Sequence, residues 1–175
     1  MVNERTIAGY LHADHQRLRR LLHRAMAVTD LDLAAFADFR RGLLRHIGIE
    51  EKLLLPAARR ARGGTPLDRA RELRIDHAAI TSLLVGTPDL ALCRELASLL
   101  SVHDAKEEGS GGVYEECEHL LSDDEVALLA ERAAAFPEVK VTLHFDGPKV
   151  HRTVESALAS ACRMRTSKKA GGGKE

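Results

Sequence analysis

The sequence predicts an all-α protein, an antiparallel up-and-down four-helix bundle with an additional short C-terminal helical segment. Three observations predict it. Apolar residues recur at helical spacing through most of the first 120 positions, cap and turn signals leave only short loops between those stretches, and no alternating strand pattern competes before residue 139.

Each element has its own signal. The first helix is expected at about 4–28 and the second at 31–61, ended by Gly63-Gly64. Thr65-Pro66 and Thr87-Pro88 each offer a capping hydroxyl followed by proline at the first helical position, which starts helices at 66–85 and 89–108. A glycine-interrupted continuation reaches about 121. Ser122-Asp123-Asp124-Glu125 has the spacing of a capping box and opens a short helix at 123–135. Val139 to Phe145 alternates loosely, Asp146-Gly147-Pro148 signals a turn, and Val150, Val154, Leu158 and Ala161 place a last helix at 149–164. The organisation expected is a bundle over 1–121, a C-terminal extension packed on it over 122–165, and a polar, glycine-rich disordered tail over 166–175.

Composition narrows the function classes. The 26 Lys and Arg cancel the 26 Asp and Glu, and aromatic residues are 3%, so neither a phosphate-binding charge nor a base-stacking surface is present and a nucleic-acid partner is not expected. No apolar run approaches the roughly 20 residues that span a bilayer, and MVNERTIAGYLH lacks a signal-peptide pattern, so no membrane partner is expected. Cys93, Cys117 and Cys162 fit neither a disulfide framework nor a zinc site; a reducing, cytoplasmic location is the expectation.

Polar residues interrupt the apolar stripes in a repeated way. On the second helix Phe36, Phe39, Leu43, Ile47, Leu54 and Ala57 define a stripe that also contains His46 and Glu50. Residues four apart stack one turn over the other, about 5–6 Å between Cβ atoms, so His-x-x-x-Glu is a chelating geometry. His103 and Glu107 repeat it on the fourth helix, and His77 and His15 fall on the stripes of the third and first. Each histidine alone reads more simply as a satisfied core residue. Four inward histidines with two inward carboxylates are different, because unpaired buried carboxylates are costly and facing ones repel unless a cation lies between them.

These motifs, ADH at 13–15, HIGIEEKLLLP at 46–56, IDHAAI at 75–80 and HDAKEE at 103–108, resemble the hemerythrin-like, HHE cation-binding family over about residues 5 to 120. The resemblance implies a four-helix bundle around a non-haem di-iron centre, oxo- or hydroxo-bridged, with His15, His46, His77 and His103 as terminal ligands and Glu50 and Glu107 bridging. It implies a small diatomic or peroxide ligand and either binding or reduction of an oxidant; an iron- or redox-responsive module is the alternative. Imidazole with a carboxylate minority suits iron and would accept zinc, copper or manganese. No protein partner is indicated.

The pattern departs from the oxygen-carrying members. Leu73 stands where they have a fifth histidine, and Glu107 follows the last histidine at four residues rather than an aspartate at five. That moves the expectation from reversible carriage toward redox chemistry or iron sensing. His12 falls outside its stripe and is read as solvated, Asp14 as an acceptor for a ligand histidine, and Tyr114 as inward-facing if the helix resumes in register. Glu51, Glu108 and the arginine-rich stretches 17–24 and 58–62 read as solvated helix faces, His23, His119, His144 and His151 as surface or structural, and Cys117 as a buried small hydrophobe.

Overall fold

In a computed structural model, which describes residues 5–27 and 29–170, the chain is helical with no strand among the described residues. The long elements are α1 (Ile7–Met26), α2 (Leu33–Ile49), α4 (Ala70–Leu83) and α5 (Leu90–Glu108), followed by α6 (Val113–Leu120), α7 (Asp123–Ala134) and α8 (Val154–Ala170). A π-helical turn, Glu50–Leu54, joins α2 without a break to α3 (Leu55–Ala61). The cause of the wide turn is Pro56. In an uninterrupted α-helix its ring would collide with the Lys52 carbonyl and its nitrogen could donate nothing; instead the preceding Leu55 N–H donates five residues back to Glu50.

Side-chain caps set most helix starts. Thr6 accepts from the Gly9 N–H at 3.0 Å, Asp32 from Ala34 and Ala35, and Ser122 and Glu125 form the expected reciprocal box. The two Thr-Pro starts are corrected. Asp89, not Thr87, caps α5, taking the Leu92 N–H at 2.7 Å, because a carboxylate is the stronger acceptor. Residues 65–67 have no regular structure and 68–69 form a turn, so α4 begins at Ala70 behind Arg69 with no side-chain cap.

α1 packs on α2 and α5, and α5 on α4. Gly42 permits the closest part of the α1–α2 approach, since a Cβ there would meet Leu18 at 2.8 Å. Two apolar clusters fill the interior. One gathers Leu11, Ile49, Leu54, Leu73, Tyr114 and Cys117; the other gathers Leu22, Phe36, Phe39, Leu43, Ile80 and Leu96. Phe36 and Phe39 are essentially inaccessible, and each such burial is worth about 1.5–3 kcal/mol. The inward polar residues of α1, α2, α4 and α5 come from the same stripes as these clusters.

The C-terminal part departs from expectation at its last helix. Residues 139–145, expected as a loosely extended segment, form a strap without regular structure: Arg40 donates to the Thr142 carbonyl at 2.8 Å, His144 lies over Phe36, and the Phe145 N–H donates to Val85 at 3.0 Å. The last helix starts at Val154 rather than 149 and runs to Ala170, so 166–170, expected as disordered tail, are helical; 171–175 lie outside the described residues. Buried Ala157 and Ala161 set α8 against α4 and α5.

Candidate metal centre

The six residues singled out from the sequence meet in the bundle interior. His15, His46, Glu50 and Glu107 form one cluster and Glu50, His77, His103 and Glu107 a second; within each, one potential ligand atom per residue lies within 4.8 Å of all the others. Both clusters contain both glutamates. His46, Glu50 and Glu107 are each 1% exposed.

The oxygens divide between the clusters. Glu50 turns Oε1 toward His46 Nε2 at 3.4 Å and Oε2 toward His77 Nε2 at 3.2 Å. Glu107 turns Oε2 toward His15 Nε2 at 3.4 Å and Oε1 toward His103 Nε2 at 3.3 Å. The centre therefore has two ends, each offering two imidazole nitrogens and two carboxylate oxygens. His46 Nε2, His77 Nε2, Glu50 Oε2 and Glu107 Oε1 are buried with no hydrogen-bond partner. Buried polar atoms are ordinarily satisfied, so four orphans aimed at common points fit a cation. Nitrogen and oxygen donors of this kind suit iron and related divalent metals.

Around this core runs a ring of four contacts. Each histidine turns Nδ1 to a carboxylate on another helix: His46 to Asp14 at 3.1 Å, His77 to Glu51 at 2.8 Å, His103 to Asp76 at 3.4 Å and His15 to Glu108 at 2.6 Å. Each of these carboxylates is the sequence neighbour of a residue in the clusters. The ring links α1 to α2, the end of α2 to α4, α4 to α5, and α5 back to α1. An Nδ1–H held by a carboxylate leaves Nε2 as the free nitrogen and fixes the ring's orientation. A cation braces every outer carboxylate: Arg17 on Asp14, Arg74 on Glu51, Lys106 on Asp76 and Arg19 on Glu108.

The reading of Asp14 as an acceptor holds, whereas Glu51, Glu108 and part of the basic stretch 17–24 are corrected. A helical wheel puts Glu51 and Glu108 at the edge of their stripes, but each reaches a histidine on the neighbouring helix, which spacing within one helix cannot reveal. His12 stays out of both clusters and meets Glu108 at 3.0 Å.

Tyr114 does face inward. Gly111 adopts φ +67°, and at Gly112 a Cβ would strike the Glu107 carbonyl at 2.5 Å, so only this glycine turn lets α6 fold back beneath the centre. The Tyr114 hydroxyl then donates to Glu50 Oε1 at 2.6 Å and stands 3.3 Å from Glu107 Oε2.

Against the opposing effect of burial, carboxylates raise the His15, His46 and His77 imidazoles above their ordinary range. Burial lowers the His15 pKa, but bonds to Glu107 and Glu108 outweigh it and raise it to about 10. Burial likewise lowers the His77 pKa, but the facing carboxylates of Glu107, Glu50 and Glu51 outweigh it and hold it well above the ordinary range. Burial raises the Glu108 carboxyl, but His15 and Arg19 bring it down to about 2. Burial, then the charges of Glu107 and Glu50, push the Tyr114 phenol well above its usual value, so it remains a donor. Burial also pushes Cys117 up to about 12, which suits the packing role expected of it.

A family model described as the hemerythrin HHE cation-binding domain matches residues 6–110. The chain belongs to that family. Comparison with curated proteins and with solved structures returned no match. In this HHE domain the matched span carries all six clustered residues and the four outer carboxylates, while Tyr114 lies beyond its end.

Proposed function

We propose that this HHE-domain chain is a non-haem di-iron protein that binds or reduces a small oxidant, dioxygen, peroxide or nitric oxide, inside an up-and-down four-helix bundle. The observation that carries the reading is the division of carboxylate oxygens, one from each glutamate to each end of the centre. Two cations would be held there by both carboxylates together with His15 and His46 for one, and His77 and His103 for the other. Bound there, the pair would supply electrons and Lewis acidity. The chain's own residues orient the imidazoles through the outer carboxylates, keep a proton on Tyr114, and exclude bulk water with the apolar clusters on either side. Iron, rather than zinc or manganese, is supported by the family and the donor set, and a reducing cytoplasm by cysteine spacings that match no disulfide framework.

Anaerobic loading with ferrous iron tests this. The expected result is about two irons per chain and a charge-transfer band on oxidation; a colourless product with under about one equivalent would overturn it.

The orphaned atoms favour a second reading, in which metal loading sets bundle stability and so the availability of a partner surface. Metal that binds only the folded chain stabilises it by linkage. A large metal-dependent change in protease sensitivity without turnover of oxidant would favour that reading, and an unchanged pattern would remove it.

A further inference from the structure

An apolar cavity of about 560 Å³ lies between α1 and α5 and reaches the His15 end of the centre. Its volume is in the range of sites for organic molecules, far more than a diatomic needs. Leu18, Leu22, Leu43, Ala97 and Leu100 line its body. Its polar lining includes His15, Arg19, Asp104 and Glu108, so a molecule lying along the leucines could turn one polar end toward the centre.

The unmet capacity among those groups is an acceptor. Both oxygens of Glu108 are engaged, by His15 and Arg19. Arg19 donates to Asp104 Oδ2 at 2.9 Å, but Asp104 Oδ1 is buried without a hydrogen-bond partner, 3.7 Å from His15 Nε2. Both cations at this end already face carboxylates, Arg19 those of Asp104 and Glu108 and His15 those of Glu107 and Glu108, so an anionic head finds no open partner and the orphaned acceptor calls for a neutral donor.

We infer that this cavity is a binding site for an organic hydroperoxide, its hydrocarbon body along the leucines and its hydroperoxyl O–H donated to Asp104 Oδ1 beside the centre. The inference rests on the di-iron reading and narrows its oxidant class. Hydrogen peroxide would leave the apolar cavity unfilled; a bulky hydroperoxide fills it and carries the one donor that Asp104 lacks.

Cumyl alcohol, the unreactive hydroxyl counterpart of cumene hydroperoxide, probes the cavity independently of redox chemistry. By calorimetry or NMR it is expected to bind both the metal-free and the iron-loaded chain, about tenfold more weakly after Ala97→Phe or, at the exposed rim, Ser101→Phe. In the ferrous protein cumene hydroperoxide should oxidise the centre with saturation, its O–O bond taking one electron from each of the two ferrous ions and two protons from solvent to leave cumyl alcohol, water and two ferric ions. Both variants should raise its half-saturating concentration about tenfold while leaving the rate with hydrogen peroxide within about twofold. Two variants guard against one failing to fold. No binding of cumyl alcohol, or equal slowing of both peroxides, would overturn the inference. A chain that takes up no iron yet binds cumyl alcohol in this cavity would instead overturn the di-iron reading while leaving the cavity assignment standing.

Discussion

The two ends of the centre have the same donors and different surroundings. At the His15/His46 end the ring centroids lie 4.3 Å apart, Tyr114 donates to the carboxylate oxygen beside His46, Asp104 adds a further carboxylate, and the apolar cavity opens alongside. At the His77/His103 end the centroids lie 4.9 Å apart. Both oxygens that face this end are orphaned, whereas neither of those facing the first end is. At one end the glutamate oxygens are already hydrogen-bonded by Tyr114; at the other they are not. Identical donor types therefore do not make equivalent ends.

The shared residues give the largest test. Glu107→Ala removes an oxygen from each end, so binding should fall from about two metals per chain to under one by elemental analysis, whereas a variant still holding two would break the bridging assignment. Next come the single-end variants. Because metal at the His77/His103 end displaces no internal hydrogen bond while the other end must give up those of Tyr114, titration should show two steps with the tighter at His77/His103. His77→Ala should abolish the tighter step and His15→Ala the weaker, with His119→Ala unchanged; the reverse order would invert the comparison.

The outer ring should matter less than the ligands. Glu51→Gln and Glu108→Gln each keep the size of a carboxylate while weakening the hold on a histidine, and affinity at the corresponding end should drop about 10- to 100-fold at unchanged saturating stoichiometry. Isothermal titration separates that outcome from loss of a site.

Proton linkage gives a smaller, graded effect. His15 is held at about 10 and must lose a proton to bind metal through Nε2, so uptake should release protons, and affinity should rise between pH 6.5 and 10, about tenfold per unit per proton released. The metal-free chain has the opposite dependence there. With its folded pKa raised, His15 contributes stability fully below the ordinary 6.5 and loses it as pH rises through 10; Glu108, lowered to about 2, contributes above 4.5 and loses it as pH falls through 2. Metal-free stability should thus peak between about pH 4.5 and 6.5 in denaturant titrations, and a steady rise above pH 7 would contradict the pairing. The smallest effect is Tyr114→Phe. It leaves Glu50 Oε1 without its donor, which should destabilise the metal-free chain by about 1–3 kcal/mol and tighten the weaker metal step, since a hydrogen bond no longer has to be given up.

Much of this was legible from periodicity. Helical stripes carry both the apolar clusters and the six inward residues, so one pattern predicts the all-helical fold and the convergence of His15, His46, Glu50, His77, His103 and Glu107. What periodicity misses is relation between helices. Glu51 and Glu108 sit at stripe edges, and only the neighbouring helix makes them partners of His77 and His15. One available signal was their place in sequence, each next to an inward glutamate. Local propensity failed where a better group stood nearby: Asp89 displaced Thr87 as a cap. Pro56 was visible, but its consequence, a π-helical turn beginning at Glu50, depends on how the helix relieves the collision.

The most direct test of the central claim is metal content with an optical spectrum of the anaerobically loaded chain, before and after oxygen. A centre with both glutamates shared between its ends should hold about two irons, be nearly colourless when ferrous and develop a charge-transfer band on oxidation. About one iron per chain with no new band, or none, would contradict it.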